Sequence, residues 1–215
     1  MKESYLSVQG MAENTIVIER SKFICTLREV ADEDAAKQFI AGIRKTHSLA
    51  THNCYAYIAD EIGNVMKYSD DGEPQGTAGM PMLEVLKNRK IMKTAAVVTR
   101  YFGGIKLGAG GLVRAYAESV SKALDSARIV ENRLVKTGLL KLTYDQYPKM
   151  LQFLEREQAV VERTDFTDEV SLALSVPCGE YGAFTARLTD YFAGKVSLAE
   201  GETHYAAFAE GAWRS

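Results

Sequence analysis

The sequence has little of what marks several protein classes. Its 215 residues hold only three cysteines and three histidines. Cys25, Cys54 and Cys178 are odd in number and far apart, and no C-x-x-C pair occurs. That excludes a disulfide scaffold and points to reduced, buried thiols in a cytoplasmic protein. No apolar run approaches the roughly 20 residues needed to span a bilayer, so no membrane role is expected. The start, Met1-Lys2-Glu3-Ser4-Tyr5, lacks the apolar core of a signal peptide. The formal net charge of -2 argues against a strong, general nucleic-acid binder. What remains is an ordinary globular composition, 47% hydrophobic and 25% charged, with room for one large or two small domains.

Glycine, by contrast, is concentrated. Gly103, Gly104, Gly108, Gly110 and Gly111 fall within nine residues. They follow an apolar run, Ala95 to Thr99, and precede a helical pattern. Such density has an entropic cost and needs a reason. One reason is tight strand-to-helix packing. The other is binding, because a glycine-rich turn before a helix presents free N–H groups to an anion. The G-x-G-x-x-G pattern fails at Val113, and a P-loop fails because Ala109 and Gly110 follow Gly108. A second unusual segment, Ser69 to Pro81, carries Asp70, Asp71 and Glu73 among turn residues. It lacks the calcium-loop pattern. Exposed acids, or acids paired with Arg100, are expected there.

These two loops carry a resemblance. Ser69 to Gly79, Arg100-Tyr101-Phe102-Gly103-Gly104 and Leu107-Gly108-Ala109-Gly110-Gly111-Leu112-Val113 resemble the signature of the IMPACT family, in its bacterial YigZ-like branch. His52-Asn53-Cys54-Tyr55-Ala56-Tyr57 and Ser21-Lys22-Phe23-Ile24 fit it too. The resemblance covers residues 14–200. It implies an α+β protein of two-layer α/β sandwiches. The N-terminal domain would be similar to the second domain of a small-subunit ribosomal protein and to elongation factor G domain IV. The C-terminal domain would be ferredoxin-like, similar to elongation factor G domain V. The implied role is in translation or its regulation, with RNA, the ribosome or a protein of translation control as partner. No catalytic residue, metal or cofactor is carried over.

The pattern along the chain agrees. Strands are expected at Thr15–Glu19 and Lys22–Leu27, and a helix capped by Asp32 with Ala36, Phe39, Ile40 and Ile43 on its apolar face. A hairpin follows, His52 to Ala59 and Val65 to Ser69. Next come a short helix, Met82 to Asn88, and a buried strand, Thr94 to Tyr101. The helix after Gly111 is expected to bury Val113, Tyr116, Ala117, Val120 and Leu124. A break near Val130–Arg133 divides the chain into an N-terminal domain, 1–131, and a C-terminal domain, 132–200. The latter reads strand (134–144), helix (148–158), two strands (160–166 and 170–176), helix (180–192) and strand (195–199), the ferredoxin-like order. Met150, Leu151 and Leu154 form one expected core face. The stretch 201–215, with Tyr205, Phe208 and Trp213, stays unassigned.

Charge is uneven. Between Glu84 and Arg114 the basic residues are Lys87, Arg89, Lys90, Lys93, Arg100, Lys106 and Arg114, with Glu84 the only acid. From Leu134 to Glu200 seven basic residues face ten acidic ones. The first domain is therefore expected to carry any RNA contact, through those basic residues and Gly103, Gly104, Gly108, Gly110 and Gly111.

Catalytic patterns are missing. His52 and Cys54 share one strand face, but neither the zinc deaminase pattern nor any four-ligand zinc set can be assembled. No G-x-S-x-G or H-E-x-x-H occurs. Two readings follow. One is a non-enzymatic, translation-associated factor that docks through its first domain. The other is an enzyme or sensor that holds a phosphorylated small ligand at Gly103–Gly111, with Asp70, Asp71 or Glu73 on Mg²⁺.

Overall fold

The computed structural model describes residues 2–209 and forms two compact units. One comprises Ser4–Glu131 with Lys2; the other begins at Asn132 and includes Glu3. The fold is α+β, with two sheets and five α-helices.

The N-terminal unit opens with β1 (Ser4–Val8), whose Leu6 bridges Ile91. Strands β2 (Met11–Ile18) and β3 (Ser21–Glu29) form a hairpin. Its two-residue turn, Glu19–Arg20, has positive φ at both positions, as the strand twist demands. Helix α1 (Glu33–Thr46) starts where the Asp32 carboxylate accepts the Ala35 N–H at 2.8 Å. Strands β4 (His52–Ile58) and β5 (Met66–Ser69), helix α2 (Gly79–Asn88), strand β6 (Thr94–Tyr101) and helix α3 (Gly108–Ser126) follow. The sheet order is β2-β3-β6-β4-β5, antiparallel throughout.

Alternation along β4 and β6 feeds both faces of this sheet. Cys54, Ala56, Ile58, Ala96 and Val98 join Met82, Leu86, Tyr116 and Val120 of α2 and α3 in one core. Tyr57, Ala95 and Val97 join Ala36, Phe39 and Ile40 of α1 in another. A central strand buried on both sides reads as a continuous apolar run, which is why Thr94–Tyr101 was legible. Helix α3 begins at Gly108, three residues before the expected start. Its buried face is Leu112, Ala115, Tyr116, Ser119, Val120, Ala123 and Leu124, while Val113 is exposed.

The C-terminal unit takes β7 (Ile129–Leu142) from Asn132 onward, then α4 (Tyr147–Leu154), β8 (Val160–Phe166), β9 (Val170–Pro177), α5 (Tyr181–Tyr191) and β10 (Leu198–Ala209). These strands lie in the order β10-β7-β9-β8, the ferredoxin-like arrangement. Two expectations shift. The break read at Val130–Arg133 lies inside one unbroken strand, because Ile129 to Val135 alternates well enough to stay extended. The last strand begins at Leu198 and takes in 201–209, so Tyr205 and Phe208 are strand residues. Trp213 lies outside the described residues. Met150 and Phe153 fill the core, whereas Leu151 faces out.

Candidate functional site

The two unusual loops meet. Thr51, His52, Glu73, Pro74, Arg100, Phe102, Lys106, Leu107, Gly108, Ala109 and Leu112 border an open cavity of about 450 Å³. That size suits a small ligand or a single nucleotide unit.

Arg100 leaves β6 as its last inward side chain and is 5% exposed. Its Nη1 donates to Glu73 Oε1 at 2.6 Å, and Nη2 reaches Ser21 Oγ at 3.3 Å. The guanidinium carbon lies 5.3 Å from the Phe23 ring centre and 5.5 Å from that of Phe102, a cation–π arrangement on both. Arg100 Nε is buried without a hydrogen-bond partner among the described residues. A donor left so costs stability unless something meets it.

Glu73 is 8% exposed. Its Oε1 also accepts the Tyr116 hydroxyl at 2.8 Å. Cys54 Sγ lies 3.3 Å from that hydroxyl and 2.9 Å from the Asp70 carbonyl oxygen. Burial pushes the Tyr116 hydroxyl and the Cys54 thiol well above their ordinary values, so both stay protonated. The result is a buried chain of polar groups reaching from the core to the cavity.

The three acids of the loop have three separate tasks. Asp70 accepts the N–H groups of Gly76 (2.8 Å), Ala78 (3.1 Å) and Gly79 (2.8 Å) and so ties the loop to the start of α2. Asp71 binds Arg44 Nη2 at 2.5 Å and the Asn53 N–H at 2.6 Å. Only Glu73 reaches Arg100. For the Mg²⁺ task of the second reading, the Asp70 and Asp71 carboxylates are instead engaged by backbone amides and Arg44. Among the described residues no group of three or more His, Cys, Asp or Glu could hold a metal ion.

His52 Nδ1 lies 2.8 Å from the Asp71 carbonyl oxygen. A carbonyl only accepts, so Nδ1 carries a proton. Nε2 lies 3.8 Å from Glu73 Oε2. Sequence patterning marked His52 only for its shared face with Cys54; its pairing with Glu73 depends on a loop 21 residues away and could not be read.

The glycines divide by task. Gly103 packs on the β2–β3 turn, where a Cβ would come within 2.0 Å of the Arg20 carbonyl carbon. Its N–H reaches Ser21 Oγ at 3.2 Å. No side chain fits there without moving backbone. Gly108 opens α3 at φ +70, and Gly104 also has positive φ. Gly110 and Gly111 lie in the first turn of α3, which has no side-chain cap. The amides of that turn, from Gly108 on, carry the positive end of a 19-residue helix dipole at the cavity's edge. Lys106 and Arg114 make no ion pair among the described residues, and Arg114 Nη1 leans over Gly110. Phe102, 47% exposed, presents a ring. Tyr101 instead holds its hydroxyl 3.0 Å from His47 Nδ1.

The other expected basic residues are elsewhere. Arg89 pairs with Asp125 in the last turn of α3, and Lys87 pairs with Glu84 at 2.8 Å. Lys90 and Lys93, both of positive φ, follow α2 directly. At 1.5 Å per residue, Asp125 is roughly 25 Å along the helix from Gly108. In sequence these charges share one stretch; in the fold Arg89 meets the last turn of α3 while Lys106 and Arg114 lie at its start.

The N-terminal unit, then, is a domain whose central strand and glycine-rich helix start border an open cavity with the Glu73–Arg100 pair in its lining. Residues 19–124 match the Impact N-terminal domain, and residues 140–195 match a domain of unknown function, DUF1949. The chain belongs to the IMPACT family. It is 45% identical over 205 residues to IMPACT family member YvyE of Bacillus subtilis (strain 168), covering 95% of this chain and 94% of that protein. It is 34% identical over 183 residues to IMPACT family member YigZ of Escherichia coli (strain K12), covering 84% and 90%. A solved structure described as "Crystal structure of an hypothetical protein" is similar at a TM-score of 0.61 and 33% identity, over 94% of this chain and 99% of that one. Among the described residues no helix is long and apolar enough to cross a membrane.

Proposed function

We propose that this protein is a non-enzymatic, translation-associated factor that docks on RNA, such as ribosomal RNA, with the Gly103–Gly111 end of its N-terminal unit. The observation that carries the reading is the uncapped start of α3, set beside Lys106 and Arg114 and in front of buried Arg100. Backbone amides at a helix start suit phosphate oxygens, and unpaired cations beside them add charge. Phe102 offers a stacking surface for a base. The roles at Lys87, Arg89, Lys90 and Lys93 narrow accordingly: they are not needed at this end.

The test is binding of purified ribosomes and of labelled single-stranded RNA over a salt series. Steep salt dependence is expected, with Lys106→Ala and Arg114→Ala together weakening binding and lowering the slope by about one unit per lost phosphate contact. Absence of RNA and ribosome binding would overturn the proposal. The cavity's size supports a second reading, a phosphorylated small ligand, which salt-insensitive binding of a mononucleotide would favour.

A further inference from the structure

One wall of the cavity does not suit phosphate. Glu73 Oε2 makes no hydrogen bond among the described residues, and His52 Nε2 faces it at 3.8 Å. Glu73 Oε1 is already occupied by Arg100 and Tyr116, so Oε2 is the oxygen left for a ligand. A phosphate there would meet a carboxylate. The cavity's lining also includes Lys106, Gly108 and Ala109, which offer amides and a cation. The cavity is therefore polarised, with an acceptor side and an anion side.

We infer that the acceptor side holds a ribose hydroxyl, so that the site takes RNA in preference to DNA. A hydroxyl suits the pair in either state of the imidazole. It donates to Oε2, and it accepts from Nε2 when that nitrogen carries a proton. His52 is fixed for this task, since its Nδ1 proton is engaged by the Asp71 carbonyl. The 2′-hydroxyl is the group that separates RNA from DNA at a given position. The phosphate of the same nucleotide then lies toward Lys106 and the α3 amides, and its base toward Phe102. This rests on the reading of the glycine-rich end as an RNA surface, and deepens it.

The experiment compares the full chain's affinity for fluorescein-labelled single strands of one sequence and about 10 nucleotides, a usual single-strand site size. The strands are RNA, DNA and 2′-O-methyl RNA. RNA is expected to bind about tenfold more tightly than the other two, the effect of one hydrogen bond to a charged acceptor. The O-methyl strand groups with DNA because it cannot donate. Glu73→Gln, which keeps an oxygen for Arg100 and Tyr116 but puts an NH2 group in place of Oε2, should narrow the gap. Equal binding of all three strands, still weakened by Lys106→Ala, would overturn the ribose inference and leave the RNA-docking proposal standing. An undiminished gap in Glu73→Gln would overturn the placement. Failure of every strand to bind would overturn both.

Discussion

The two units treat charge differently. In the C-terminal unit the core is apolar, with Leu140, Leu142, Met150, Leu172, Leu174, Phe184 and Leu188 buried. Its charges pair outside that core. Lys136 with Glu200, Lys141 with Glu169, Arg163 with Asp165 and Arg187 with Glu157 account for four of the seven basic residues between Leu134 and Glu200. The N-terminal unit instead draws Arg100 and Glu73 into its interior and leaves Lys106 and Arg114 unpaired at the surface. A buried ion pair is a weak source of stability, since desolvation offsets much of the attraction. Holding one at the back of a cavity makes sense where it orients groups for a ligand. The contrast teaches where to look for function: the unit with the costly interior.

The largest effect should come from breaking that interior. Arg100→Ala leaves Glu73 buried without its partner, which costs about 3–5 kcal/mol. Urea denaturation should show the N-terminal unit unfolding well before the C-terminal one. Lys141→Ala, which removes an exposed ion pair with Glu169, should move the midpoint far less. Equal losses would erase the contrast between the units.

A smaller loss is expected from Asp70→Ala. Three backbone N–H groups lose their acceptor at the start of α2, a capping loss of about 1–2 kcal/mol. The Glu73–Arg100 pair should then loosen, since Asp70 anchors the loop that carries Glu73. Hydrogen exchange at Gly76, Ala78 and Gly79 should rise before exchange in β6 does. Unchanged protection at those amides would show that the loop holds without its anchor.

Next in size is an alkaline effect. Burial raises the Cys25 and Cys54 thiols above their ordinary values. The unfolded chain loses these protons near pH 8.5, whereas the folded chain keeps them. Above that pH the unfolded state binds fewer protons, so stability falls as pH rises. In the native protein, part-exposed Cys178 should react with a thiol reagent while Cys25 and Cys54 do not. Modification of all three at one rate would mean that the N-terminal unit opens readily.

Much of this was legible before the fold, and unevenly so. Period and punctuation gave β4, β6, α1 and the β-α-β-β-α-β order, because apolar alternation and caps are local signals. Convergence of the acidic and glycine-rich loops on Arg100 followed from charge, since a half-buried arginine needs an acceptor. Which acid meets it did not. Asp70, Asp71 and Glu73 are alike in sequence, and their partners, the α2 amides, Arg44 and Arg100, are assigned by loop geometry alone. His52 was illegible as a partner of Glu73 for the same reason. Sequence pattern puts the start of α3 late because Gly108, Gly110 and Gly111 are poor helix formers; the first turn tolerates them where the backbone serves as a donor.

The smallest expected effect is the sharpest test of the surface. Lys87 and Arg89 lie in the same basic stretch of sequence as Lys106, yet Lys87 is tied to Glu84 within α2 and Arg89 to Asp125 in the last turn of α3. If the glycine-rich end alone meets RNA, Lys87→Ala and Arg89→Ala should leave both affinity and salt slope unchanged. Lys106→Ala should lower the slope by about one unit. Surface changes of this kind move stability little, so the comparison reads contact rather than folding. A slope lowered equally by Arg89→Ala would mean that the RNA runs the roughly 25 Å along α3 from one end to the other, and that the basic stretch acts as one surface after all.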